Sequence, residues 1–333
     1  RTRRPGGATA AAGGAGVRVY RDLKEVPAGK RVVAIGTFDG VHIGHQRIIG
    51  DAVTAARDKG ARSMVMTFHP HPLSVIAPDK CPPILTPLNI KTNLVGNLGV
   101  DEMLIIPFTD EFSRLSPTSF CEMLFSSQLG ALQVIVGDNF RFGHKAGGDI
   151  KFLEEYGKKV GMEVKAEPLV TAGGEPISST RVRNLLMQGD LAEVRGILSR
   201  PPSTHGKVVH GDKRGRTLGV RTANIEAQVD CIFPGKGVYL ADLFIGKDAY
   251  ACLVNVGQNP TFCSTDEDSK ERMRIEAHIL DFDRNLYGFN VRVDFLKRVR
   301  DEKKFDSPEE LVAQIREDIA TARKFKEFAV KKR

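Results

Sequence analysis

The stretch Gly36-Thr37-Phe38-Asp39-Gly40-Val41-His42-Ile43-Gly44-His45 decides how the first half of the chain reads. An uninterrupted apolar run at 32–35 precedes it. After it, Ile48, Ile49, Ala52, Val53 and Ala56 recur at helical spacing. The pattern is a strand, a glycine-bearing turn and a helix start. Glycines let backbone approach a ligand closely, and the first helical turn offers unpaired N–H groups at the positive end of the helix dipole. Such a turn can cradle phosphate. His42 and His45 stand three apart and project from one face at a helix entry, where two imidazoles can donate hydrogen bonds to phosphate oxygens as charge develops. Out of context the same pair would be two surface histidines at a helix start; the strand before and the helix after favour the phosphate reading.

Outward from this turn, further apolar runs stand at 63–68, 103–108, 133–137 and 163–169, with amphipathic stretches between them. One of these stretches starts with Ser116 as N-cap and Pro117 at the first helical position, followed by Phe120, Cys121, Leu124 and Phe125. Runs that are continuous rather than alternating fit strands buried on both faces, so the expectation is an open parallel sheet flanked by helices. Residues 181–198 read as one or two short helices broken at Gly189-Asp190, and Arg200-Pro201-Pro202 stops them. The domain boundary is expected near 185–203. Beyond it, strand-like runs at 207–210, 238–245, 249–256, 273–282 and 291–299 follow closely, with Gly, Pro and Asn turns, which suggests a small antiparallel barrel. The chain closes with a helix: Ser307 as N-cap, Pro308, Glu310 as capping-box partner, and a stripe of Leu311, Ile315, Ile319 and Ala322.

At 333 residues and 41% hydrophobic content the chain suffices for two domains with cores, and no window approaches a membrane span. The formal charge of +8 lies in the tails. Residues 1–19 hold four Arg and no acid, and 323–333 hold six basic residues against Glu327, which leaves the body at −1. A near-neutral body is a poor groove-tracking surface, so neither a nucleic-acid nor a membrane partner is expected. Residues 1–19 read as a disordered basic tail; an acid-poor Arg leader resembles the remnant of an organelle transit peptide as much as an ordinary terminus. The expected compartment is the cytoplasm, with the plastid stroma as alternative. Five cysteines without ligand spacing suggest reduced thiols.

Two more segments carry chemistry. Ile177-Ser178-Ser179-Thr180-Arg181-Val182-Arg183 places hydroxyls and arginines at a helix start, able to grip a triphosphate or simply to cap a solvated helix. Gly211-Asp212-Lys213-Arg214-Gly215-Arg216-Thr217-Leu218-Gly219-Val220-Arg221-Thr222-Ala223-Asn224 is a basic glycine loop ending in hydroxyl and amide groups. It can wrap phosphates and place oxygens on Mg²⁺, or be a plain basic hairpin loop.

The first of these motifs and ISSTRVR, with Thr67-Phe68-His69-Pro70-His71-Pro72 and Gly137-Asp138-Asn139-Phe140-Arg141-Phe142-Gly143 between them, resemble the adenylyltransferase half of the prokaryotic-type bifunctional riboflavin kinase/FAD synthetases. The basic loop resembles the riboflavin kinase half, with Arg221 where that family usually has Pro. So do Gly237-Val238-Tyr239, the segments 255–262 and 274–282, Asp283-Arg284-Asn285-Leu286-Tyr287-Gly288 and 300–305. The resemblance implies a Rossmann-like α/β nucleotidyltransferase domain over 20–190. Over 200–328 it implies a riboflavin kinase domain, a small Greek-key β-barrel with a terminal helix. It implies FMN formation from riboflavin and ATP, then FAD and pyrophosphate from FMN and ATP. For adenylyl transfer it assigns ATP to Gly36, Phe38, His42, His45, Ser179, Thr180 and Arg183, and flavin to Asp138, Asn139 and Phe140. For the kinase it assigns ATP to Gly211, Lys213, Gly215, Thr222 and Asn224, Mg²⁺ to Thr222 and Asn224, the base to Glu276 and flavin to Arg300. The expected state is a monomer or weak homo-oligomer acting on small molecules. The competing expectation keeps FAD synthesis alone, with the barrel reduced to a flavin-binding or regulatory module.

Overall fold

The structure is a computed structural model that describes residues 16–125, 129–210, 221–227, 231–258, 273–303 and 305–330. The chain packs as two compact units. One runs to Pro82 and from Thr86 to Ile177; the other comprises Pro83–Leu85 and the chain from Ser178 on. Among the described residues no helix is long and apolar enough to cross a membrane.

In the first unit the strands are β1 (Arg18–Tyr20), β2 (Arg31–Ile35), β3 (Arg62–His69), β4 (Glu102–Pro107), β5 (Ala131–Gly137) and β6 (Glu163–Glu167). They form one sheet in the order β1-β4-β3-β2-β5-β6, and every pairing is parallel. The helices are α1 (Ile43–Asp58), α2 (Pro72–Ile76), α3 (Leu88–Asn97), α4 (Asp110–Ser113), α5 (Pro117–Leu124) and α6 (Ile150–Val160); a short hairpin, β7 (Thr171–Ala172) and β8 (Glu175–Pro176), follows β6. Alternate strand residues feed two cores. Val33, Ile35, Met64 and Met66 pack with the α5 residues Phe120, Cys121 and Leu124. Val32, Ala34, Val65 and Met103 pack with Ile49, Ala52, Val53 and Ala56 of α1. Double-sided burial is why the strands read as continuous apolar runs. β2 lies between β3 and β5, so the order reverses there, and the carboxyl ends of β2 and β5 frame the crevice where open α/β sheets bind ligands.

The expected disordered tail through residue 19 needs correction. Arg18 and Val19 belong to β1, in register with Glu102 and Met103 of β4, and Arg18 N donates to the Asp101 carbonyl. An open parallel edge supplies hydrogen bonds that a three-residue segment cannot make alone.

In the second unit α7 (Ser179–Gln188) and α8 (Leu191–Leu198) precede a closed barrel of β9 (Ser203–Val209), β10 (Ala223–Ala227), β11 (Gly237–Ile245), β12 (Asp248–Gln258), β13 (Met273–Ile279) and β14 (Asn290–Arg300), and α9 (Pro308–Val330) ends it. The barrel order is β10-β13-β12-β11-β14-β9, closed by the antiparallel pair β9–β10. Gly189, left-handed at φ 78°, separates α7 from α8, where the sequence places a break. The unit begins at Ser178, ahead of the expected boundary, because α7 packs with the barrel. Gly235 N donates to the Leu186 carbonyl, and Arg298 Nη1 reaches the Gln188 carbonyl at 3.3 Å. β13 stops at Ile279, three residues short of the expected run, where Asp281 turns with φ 54°.

Candidate active sites

The turn after β2 is built from unusual backbone. Phe38 and Val41 hold φ of 48° and 42°, a region that non-glycine residues enter at a cost, and Gly40 sits at 89°. The Thr37 carbonyl accepts from Thr67 Oγ1 at 3.0 Å and Lys91 Nζ at 2.7 Å, while Asp39 Oδ1 accepts from Thr86 N at 3.1 Å. Gly36 is closely approached: a Cβ there would lie 3.1 Å from the Phe38 ring, which would have to shift by a few tenths of an ångström.

His42 is the N-cap of α1, and its Nδ1 accepts from His45 N at 3.3 Å. In the neutral ring the proton then sits on Nε2. The His42 and His45 rings stack with centroids 3.5 Å apart, and Phe38 meets His45 edge-on at 5.3 Å. His42 is buried and His45 half-buried, with His45 Nδ1 enclosed and unpartnered. Burial first, then His42, then Lys91 hold the His45 pKa well below the ordinary histidine value. The expected pair is therefore one stacked unit, in which His45 is held neutral at physiological pH.

Beside it, at the end of β5, Asp138 N donates to the Glu167 carbonyl, and Asp138 and Asn139 are exposed. Phe140 is half-buried and stacks on Phe142 at 5.5 Å, within an aromatic row that continues to Phe120. β2 and β5 are neighbours, and a Cβ on Gly137 would lie 3.6 Å from Ile48 of α1. The structure thus brings the 137–140 loop and the histidine turn to one edge of the sheet. His69, at the end of β3, is exposed, and its pKa is lowered by partial burial, then by Lys91 and Arg21.

Ser179, Thr180 and Arg183 lie in the first turns of α7, in the second unit. Ser178 Oγ caps the helix by accepting from Arg181 N, and the buried Arg183 donates from Nε to the Pro83 carbonyl at 2.7 Å. Arg181 is ion-paired to Glu193 of α8.

The barrel unit holds a cavity of about 360 Å³. Thr222, Glu276 and Arg300 line it together with Asn255, His278 and Phe305, and Leu311, Ile315 and Asp318 of α9 complete the wall. On β13 the buried Ile275, Ala277 and Ile279 alternate with the partly exposed Glu276 and His278, which therefore share the cavity side. Asn224 is in register with Glu276 on the neighbouring β10. A Thr hydroxyl and an Asn amide oxygen are hard donors suited to Mg²⁺ that keeps most of its coordination for phosphates and water. Arg300 is gripped by the buried Asp318, Nε at 3.0 Å and Nη2 at 2.9 Å from Oδ2, and its guanidinium lies 5.8 Å from the Phe305 ring. The Arg221 carbonyl, just before Thr222, meets His278 Nδ1 at 2.8 Å, and the Arg221 side chain pairs with Asp283. Gly211, Lys213 and Gly215 lie outside the described residues.

Sequence reading passed over Lys91 and Asp318, and put His278 on the face of Glu276 by strand alternation without giving it a role. Lys91 had a signal: with Leu88 and Val95 it keeps the i, i+3, i+7 spacing of a buried helix face, an odd place for a cation. Asp318 had the same kind of signal, a carboxylate at i+7 from Leu311 and i+3 from Ile315 on the apolar face of the last helix, while the contacts of both Asp318 and His278 lie far off in sequence.

The FAD synthetase family profile matches residues 25–181, and the riboflavin kinase profile matches 198–326. Relatives called bifunctional riboflavin kinase/FMN adenylyltransferase include those of Bacillus subtilis, 36% identical over 89% of this chain and 92% of theirs, and of Escherichia coli, 36% identical over 93% and 97%. A solved structure described as a macrolide-efflux protein from Streptococcus pneumoniae is 31% identical, with a TM-score of 0.82 over 92% of this chain and 98% of that one. With both profiles matched in order and this identity running through nearly the whole length of the relatives, the chain belongs to the bifunctional riboflavin kinase/FMN adenylyltransferase family.

Proposed function

We propose that this chain converts riboflavin to FMN at the barrel cavity and FMN to FAD at the histidine turn, and that its residues divide the two reactions as follows. In the first reaction the riboflavin 5′-hydroxyl attacks the ATP γ-phosphorus. A bond forms from that oxygen, the bond from phosphorus to the β–γ bridging oxygen breaks, and ADP leaves. A neutral alcohol needs a base, and Glu276 takes its proton. Thr222 and Asn224 hold Mg²⁺, which supplies neutralisation of the phosphate charge. Arg300, fixed by Asp318, lines the flavin side.

In the second reaction an FMN phosphate oxygen attacks the ATP α-phosphorus and pyrophosphate leaves. The nucleophile is already an anion, so positioning and charge stabilisation suffice. His42 and His45 donate hydrogen bonds to phosphate, Gly36 and Phe38 shape the turn around the nucleotide, and Asp138, Asn139 and Phe140 meet the flavin. Ser179, Thr180 and Arg183 are assigned to ATP phosphates on their chemistry, hydroxyls and a guanidinium at a helix start. The substrates are small molecules, a reading that calls for no nucleic-acid or membrane partner and suits a reducing aqueous compartment, cytoplasm or plastid stroma. It works equally in a monomer.

The observation that carries this division is that Glu276 and Thr222 share one cavity inside the barrel unit, while the stacked histidines stand at the switch point of the other unit's sheet. Incubation with riboflavin, ATP and Mg²⁺, with riboflavin, FMN and FAD separated over time, tests it. FMN should appear first and FAD after it. FAD formed only from supplied FMN would leave the barrel without kinase activity and overturn the reading.

A further inference from the structure

Lys91 is one of few charged side chains inside the first unit. It lies on the buried face of α3, 8% exposed, with Val95 and Gly96. Its ammonium donates to the Thr37 carbonyl at 2.7 Å, and among the described residues this is its one hydrogen-bond partner. An ammonium has three donors and is costly to bury, so a methionine would serve packing better at this position. The charge sits where the Thr37 carbonyl fixes the peptide leading into Phe38, whose φ is 48° and whose ring edge meets His45. A chain of contacts therefore runs from α3 through Thr37 and Phe38 to the stacked imidazoles.

We infer that Lys91 is a positioning residue for adenylyl transfer: it pins the strained Thr37–Phe38 turn that seats His45 and keeps a positive charge against the His42–His45 pair. The inference rests on the assignment of that pair to FAD synthesis. The charged and titratable groups around Lys91 are Asp39 from the turn, His45 from α1 with the N-cap His42 beside it, and His69 from the end of β3, which Arg21 also faces. Lys91 lowers the pKa of both His45 and His69, though burial is the larger cause for each. Burial lowers the pKa of Lys91 itself, and Asp39 opposes that. Loss of the Lys91 charge lets His45 take up a proton at a higher pH. A residue that only filled space would leave that titration where it was.

The test uses the full chain with FMN, ATP and Mg²⁺, measuring kcat and KM for FAD formation from pH 5 to 9. Lys91→Gln keeps an N–H for the Thr37 carbonyl and removes the charge; Lys91→Arg keeps the charge. Riboflavin phosphorylation and a thermal melt check that each variant is folded. Lys91→Gln should lower kcat by about 10-fold or more, the order expected for a displaced catalytic group. KM for ATP should change less, and the acidic limb should move toward neutral pH. Lys91→Arg should leave the limb in place and recover part of kcat. Parental kcat in Lys91→Gln, or a lowered kcat with the limb unmoved, overturns the inference. Should Lys91→Gln fail to fold, Lys91→Arg decides: reduced kcat with an unmoved limb supports the inference, a moved limb overturns it. His45→Ala, run alongside, separates the two readings. Undiminished FAD formation there removes the histidine assignment itself, whereas a dead His45→Ala beside a normal Lys91→Gln removes only the role of Lys91.

Discussion

An imidazole that serves a phosphate oxygen has to keep a proton on the nitrogen that faces it and stay uncharged until charge develops. His45 is arranged for that, since burial and two neighbouring basic groups oppose its protonation. His45→Ala is expected to cut FAD formation from FMN by about 10²-fold or more, as for loss of one transition-state donor. Riboflavin phosphorylation should be nearly unchanged, and equal loss of both activities would argue against separate sites. Glu276 answers a different need. A carboxylate between the buried Ile275 and Ala277, on the side that lines the cavity, could as well be a cross-strand ion-pair partner; what favours the base is the company of Thr222 and Arg300. Glu276→Gln keeps the shape and removes the basic oxygen. It should lower riboflavin phosphorylation by about 10²–10⁴-fold and leave FAD synthesis from supplied FMN intact. Near-normal phosphorylation in that variant would make Glu276 structural.

Strands and helices carry these residues through contacts that local sequence shows unevenly. The turn after β2 was legible because strand, glycines, histidines and helix are contiguous. The brace behind it was not, because Lys91, Thr67 and Thr86 reach the turn from three other segments. β1 was hidden by its acid-free leader, and β10 was absorbed into the glycine loop before it. β2 is also anchored by a buried ion pair. Arg31 and Glu102 are fully buried, Nε to Oε2 at 2.6 Å, and Arg31 also donates to the Gly29, Leu129 and Pro27 carbonyls. Removal of one partner of a buried pair typically costs about 3–5 kcal/mol, so Arg31→Met should lower stability by that order in urea unfolding. Arg62 already bonds Glu102 Oε1 at 2.9 Å, and a loss below about 1 kcal/mol would mean that this second guanidinium alone suffices for the buried carboxylate. In the barrel, His205 on β9 faces Arg292 on β14, and burial, then Arg292, push its pKa down to about 4. The unfolded chain binds that proton near pH 6.5 and the folded chain does not. Stability is then full above about pH 6.5 and is lost as pH falls toward the folded value. Thermal midpoints measured from pH 7 to 4 should fall less steeply in His205→Gln than in the parent; parallel slopes would show that His205 does not contribute.

Two reactions in one chain raise the question of how FMN travels from the site that makes it to the site that consumes it. The stacked histidines and the cavity that holds Glu276 belong to different compact units. Nothing in either chemistry requires FMN to pass without release, since FMN is a stable, soluble product and adenylyl transfer needs only that it bind in line. A mixture of two single-site variants reads this directly. His45→Ala, given riboflavin and ATP, should accumulate FMN with little FAD. Glu276→Gln should make neither from riboflavin, yet form FAD from FMN. Mixed in equal amounts, the two should produce FAD from riboflavin after a lag. The lag should shorten as the proportion of His45→Ala rises, because that variant supplies FMN to solution and the other draws it from there. A flavin scavenger that traps free FMN should abolish FAD in the mixture and in the parent alike. If the mixture makes FMN but no FAD while Glu276→Gln remains active on supplied FMN at the concentration reached, or if the scavenger spares the parent, FMN is handed over within one chain and free exchange is wrong.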